Sequence, residues 1–163
     1  MTDAAPAIFM AIEGSAFAAA IRQSPYLYMA ANVAHILALM VFFSAVAVMD
    51  LRLAGFFQAS WPGSLLRRAR LVAILGFIAL AGSGAILFVA EASHVVLNEA
   101  FQFKLLLILL ALLNIAWFEY AVAPKVHDLQ PHTPLPARAR LIGVISILLW
   151  LAVAACGRLI AYF

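Results

Sequence analysis

Four apolar stretches, each long enough to cross a bilayer as a helix, constrain this chain more than any other feature. They run from Tyr26 to Met49, Leu71 to Ala90, Phe101 to Ala123 and Leu141 to Phe163. A hydrocarbon core ~30 Å thick takes about 20 helical residues to span. No water inside lipid can satisfy the backbone, so such stretches must close their hydrogen bonds within themselves as helices. The expectation is an all-α fold, an integral membrane four-helix bundle forming a single domain over residues 1–163.

Composition removes the soluble alternatives. Of the 163 residues, 67% are hydrophobic and 10% charged, against about 25% charged in an ordinary soluble domain. So few charges cannot cover an aqueous surface, and the lipid bilayer must be the main partner. The net charge of +3 forms no basic stripe interleaved with aromatics, which argues against nucleic acid. Cys156 stands alone in an apolar run, so it offers neither a disulfide framework nor a zinc site. The N-terminus opens with Asp3 instead of a basic cluster, and Glu13 interrupts its first apolar stretch. That pattern is not a secretory signal, and the segment is expected to stay in the mature protein.

The connections between spans differ in charge. The first carries Arg52, Arg67, Arg68 and Arg70, and the third carries Lys125, Arg138 and Arg140. The second, from Glu91 to Phe101, holds no Lys or Arg. Positive residues stay in the cytoplasm, so loops 50–70 and 124–140 are expected there, with both termini on the outer side. Asp50 and Arg52 read as polar punctuation closing the first span. Residues 7–23 are too interrupted for a fifth span. Ile8, Ile12, Ala16, Ala19 and Ala20 recur at helical spacing, away from Glu13 and Arg22. This predicts an N-terminal amphipathic helix lying in the outer interface, either as a lid on the bundle or as a lipid anchor.

An ionisable group inside a span is costly, so each one is a functional candidate. At 1.5 Å per helical residue, His35 stands about 22 Å, Arg158 about 27 Å, Lys104 about 30 Å and His94 about 36 Å above the inner boundary. With Glu91 they gather in the outer half, leaving Asn114 and Glu119 as the polar residues of an inner half that reads as packing. His35 shares a helix face with Tyr28 and Asn32, a stripe that must turn into the bundle. The plainer account of His35 is a neutral imidazole hydrogen-bonded between helices. The chemical account makes it an axial ligand to haem b iron, with Lys104 and Arg158 receiving the anionic propionates. Asn32 would then be a neighbour of the site, and Glu91 would offset one cation. His94 is the weaker metal candidate, because two axial ligands should lie at similar depth. His127 and His132 fall in the opposite loop. Gly76, Ala79, Gly82, Ser83 and Gly84, with Gly143, Ser146 and Gly157, allow close helix approach.

The segments SPYLYMAANVAHILALMVFFSAVAVMDLRLAG, FVAEASH, NEAFQFKLLLILLALLN and GRLIAY resemble an uncharacterised bacterial family of four-helix membrane proteins. That resemblance implies this architecture and a bacterial inner (plasma) membrane. A His in the first span, arginines before the second and a Lys opening the third in a K-L-L context resemble two further groups. These are the haem-binding membrane protoporphyrinogen oxidases and the copper-resistance D type proteins. Only His35 and Lys104 match the first group, and Gln102 and Phe103 stand before the Lys where that group carries an adjacent His. Met29, Met40 and Met49 build no thioether ladder for Cu(I). The function expected is a membrane haem b protein, or holder of a similar anionic cofactor, with an electron-transfer role. A periplasmic redox protein, another membrane subunit or a second copy of the chain would be its partner. The alternative is a non-catalytic membrane subunit, or a small transporter of a metal ion or proton.

Overall fold

The structure is a computed structural model that describes residues 4–126, 128–160 and 162. Asp3, His127 and Phe163, the last residue of the fourth expected span, lie outside the described residues. The regular elements described are all helices: α1 (Ala7–Glu13), α2 (Ala16–Gln23), α3 (Pro25–Ala54), α4 (Pro62–Ala90), α5 (Ala92–Leu97), α6 (Glu99–Ala121), α7 (Ala123–Val126) and α8 (Ala137–Leu159). Helices α3, α4, α6 and α8 are long and apolar enough to cross a membrane.

Local sequence fixes most of the helix ends. Ser24 caps α3 by accepting from the Leu27 amide at 3.3 Å, and Pro25 sits in the first turn, where a missing N–H costs nothing. Gly55 ends α3 in the left-handed region at φ 110°, with its own amide on the Arg52 carbonyl and the Phe56 amide on that of Leu51. Only glycine takes that conformation without strain. Asn98 caps α6 by accepting from the Phe101 amide at 3.2 Å.

The largest boundary differences from the sequence reading lie around the first loop. α3 continues past Met49 to Ala54, and α4 begins at Pro62, well before Leu71. Asp50 and Arg52 therefore do not meet water at a span's end: they are 5% and 0% exposed. One Arg52 guanidinium N–H points to the Ser60 carbonyl at 3.4 Å, across the turn that follows the helix. Residues 7–23 also form two helices instead of one. Gly14 and Ser15 break them, and Ser15 caps α2 by accepting from Ala18. Their inward face is Ala18 and Ile21, whereas Ile8, Ala16 and Ala20 are exposed.

The long helices pack in the order α4, α3, α8, α6. Water does not drive such packing inside lipid, so close backbone approach and dispersion must. Gly76 and Gly143 supply that approach: a Cβ at Gly76 would sit 3.0 Å from the Phe42 backbone, and one at Gly143 only 2.8 Å from the Leu53 Cβ. A second device is aromatic. Trp150 of α8 meets Phe42 of α3 edge to face, with centroids 4.6 Å apart, a pairing worth ~0.5–1.5 kcal/mol beyond its burial. Helices α4 and α6 do not pack along their length. They meet at one end through stacked Phe88 and Phe101, centroids 5.4 Å apart, and at the other through the Arg70–Glu119 ion pair.

The two ends of the bundle are closed differently. At the terminal end, α1 lays Phe9 against Phe88, and the Arg22 guanidinium donates to the Ala90 carbonyl at 2.8 Å. Glu13 accepts from both the amide and the hydroxyl of Ser93 on α5. At the opposite, basic end, Leu53, Leu66, Phe118, Val126, Leu135 and Ala139 form an apolar plug beneath the loops.

Candidate functional site

Toward the terminal end, α3 presents Tyr28, Asn32 and His35 on one half-buried face. The imidazole of His35 lies against α4, where Gly84 leaves room for it: a Cβ there would stand 3.2 Å from the His35 Cε1. Its Nδ1 is 2.9 Å from the Ser83 hydroxyl oxygen. That hydroxyl also lies 2.7 Å from the Ala79 carbonyl and 3.3 Å from that of Leu80, so it has acceptors on its own helix. When it donates there, Ser83 accepts from His35, with the imidazole proton on Nδ1 and the Nε2 lone pair free.

The other expected residues are divided by the fold. Lys104 of α6 is half-buried against α8, where a Cβ at Gly157 would come within 3.5 Å of its Nζ. Asn32 turns its amide back to the Tyr28 carbonyl of its own helix at 3.4 Å. Glu91 is exposed, with the Tyr28 hydroxyl at 3.5 Å. Arg158 is exposed as well. Its guanidinium donates to the Tyr162 hydroxyl at 2.7 Å and covers that ring at 4.8 Å. His94 is exposed on α5 near Glu13. Among the described residues, no three His, Cys, Asp or Glu side chains converge as a metal cluster would require. His35 and Lys104 thus face the interior, and Arg158, Glu91 and His94 belong to the surface.

At the terminal rim, hydrogen bonds from the Ser93 hydroxyl, then from its amide, hold the Glu13 carboxyl below the usual carboxylate range. The charge is a fastener between α1 and α5.

Sequence reading missed a second polar group. In the basic half a cavity of about 390 Å³ lies between all four long helices. Phe42, Phe77 and Trp150 form its aromatic wall, and Asp50, Ser146 and Asn114 its polar side. The Asn114 amide donates to the Ile142 carbonyl at 3.2 Å, while the Asp50 carboxyl faces Ser146. Asp50 Oδ2 and Trp150 Nε1 are buried without a hydrogen-bond partner among the described residues. The expectation that this half is packing alone is corrected here. The available signal was the spacing of Phe42, Val46 and Asp50 on one helix and of Ser146 and Trp150 on another, each at i, i+4.

Over residues 8–163 the chain matches a family of unknown function, DUF6644. Neither a curated protein nor a solved structure matches it.

Proposed function

We propose, for a chain that belongs to the DUF6644 family of unknown function, a role as a membrane-embedded haem b protein with an electron-transfer function. The supporting observation is the 2.9 Å contact of His35 Nδ1 with the Ser83 hydroxyl, which also reaches the Ala79 carbonyl. An imidazole that gives its Nδ1 proton to Ser83 offers Nε2 as a ligand atom, and an outer hydrogen bond of this kind orients a metal-binding histidine.

The donor chemistry of two inward side chains supports this reading. His35 would hold the iron, and the Lys104 ammonium would pair with a propionate. Bound haem would supply a one-electron redox couple. The chain's own part is to orient the imidazole through Ser83, to hold a cation within the bundle, and to keep water out with the α1–α2 lid. The arginines and Lys125 of the basic end support a cytoplasmic orientation for that end. In a bacterial inner membrane the His35 end would then face a periplasmic redox partner.

Detergent-purified protein from haem-replete cells should show a Soret band that His35→Ala removes and Lys104→Ala retains in weakened amount. A folded, monodisperse and colourless preparation would sink the reading.

A further inference from the structure

We infer that the cavity of the basic half is a second binding site, taking the headgroup of a lipid-soluble para-quinone or quinol. It stands apart from His35 and does not rest on haem being bound there.

Three observations carry it. The first is size and shape. At about 390 Å³ the space falls within the range of small-molecule pockets, and its walls are mainly apolar and aromatic. A flat substituted ring finds Phe42, Phe77 and Trp150 beside it.

The second is access. Helices α4 and α6 are joined at Phe88–Phe101 and at Arg70–Glu119, but do not pack between those points. Ile74 and Ile78 of α4 and Leu112 and Ile115 of α6 line the cavity there and are exposed on the apolar outer surface. A molecule dissolved in the bilayer meets that opening directly. One dissolved in water meets the Arg70–Glu119 pair and the apolar plug instead.

The third is the polar pair. Asp50 is 5% and Trp150 3% exposed, and each keeps an unpartnered polar atom while lining the cavity. Buried polar groups are ordinarily satisfied, so two orphans in one cavity point to a ligand. The indole N–H can only donate, so the ligand must present an acceptor oxygen to it. A carboxyl accepts from a hydroxyl when ionised, and also donates when protonated. Ser146, beside Asp50, and Trp150 are one turn apart on α8, so the two orphan atoms belong to one stretch of the cavity wall. A lipophilic cation would answer Asp50 but leave the Trp150 N–H orphaned, which is why the neutral ligand is preferred.

The test is equilibrium binding of decyl-benzoquinone to the full-length protein in lipid nanodiscs, with tetraphenylphosphonium as the cationic probe. Saturable quinone binding is expected. Trp150→Phe, which removes only the N–H and some ring, should weaken it about 3- to 10-fold. Ile78→Trp should block the opening and abolish binding, and its exposed position keeps the fold out of the comparison. Asp50→Asn keeps a hydrogen-bonding group and should stay within about 3-fold of the parent. His35→Ala should bind quinone like the parent, whether or not it has lost haem. Absence of saturable quinone binding by folded protein would overturn the inference. So would binding indifferent to both Trp150→Phe and Ile78→Trp, or binding of tetraphenylphosphonium alone, lost in Asp50→Asn.

Discussion

The two halves of the bundle handle buried polarity in opposite ways. Around His35 most polar atoms close on each other, leaving Nε2 over: imidazole Nδ1 to Ser83, Ser83 to its own helix, and Asn32 to the carbonyl one turn back. Around Asp50 two polar atoms that line a space stay open: among the described residues Asp50 Oδ2 and Trp150 Nε1 have no partner. In the first half a polar group contributes to holding helices together. In the second it costs stability until something else supplies the missing partner. Ionisable residues in a span therefore do not by themselves mark a site. A polar atom that the fold leaves without a partner among the described residues, such as the His35 Nε2 or the Asp50 Oδ2, is the stronger mark.

The largest change should come from removing the aromatic wall that the Asp50 half shares with the core. Trp150→Ala deletes the contacts with Phe42 and Phe77 and should cost ~3–5 kcal/mol, read as a large fall in the thermal midpoint in detergent. Gly143→Ala comes next. Its new Cβ meets the Leu53 Cβ and the Asp50 carbonyl at under 3 Å, and such overpacking costs ~1–3 kcal/mol. Gly82→Ala on α4 is the control, since a Cβ there meets nothing within 4 Å. Its midpoint should not move.

Smaller substitutions bear on the contrast itself. Ser83→Ala breaks a satisfied bond and should cost ~0.6–1 kcal/mol. Trp150→Phe removes an unsatisfied donor, so relief of that penalty should offset the smaller ring and leave the midpoint of the ligand-free protein nearly unchanged. Equal losses from these two variants would erase the distinction between the halves. The smallest effect is local. Glu13 is held below the usual carboxylate range by Ser93, so its contribution is complete above that range and is lost as pH falls through its lowered value. Amide exchange in residues 7–13 should speed up on acidification, and Glu13→Gln should show the faster exchange already at neutral pH.

Much of the architecture was legible in the chain. Spans of about 20 apolar residues admit little but helices, and the capping residues Ser24, Asn98 and Gly55 stand where their chemistry is needed. The stripe of Tyr28, Asn32 and His35 was legible too, because one helix face is a local property. Asp50 was misplaced for a complementary reason. A carboxylate near the end of an apolar run reads as punctuation; Gly55 marks the true helix end locally, but which neighbour the Asp50 side chain faces is not a local property.

Sequence alone thus determined the four long helices and the lipid they face, since these follow from hydropathy and backbone hydrogen bonding along a continuous segment. Tertiary structure decided which polar side chains find partners. Ser83 reaches His35, and Arg158 folds onto Tyr162, away from Lys104. Asp50 Oδ2 and Trp150 Nε1 find none among the described residues and line the cavity. Pairing of that kind depends on the rotation of each helix about its axis and on which neighbours it touches. Those are set by contacts such as Gly76 on Phe42 and Gly143 on Leu53, between residues far apart in the chain.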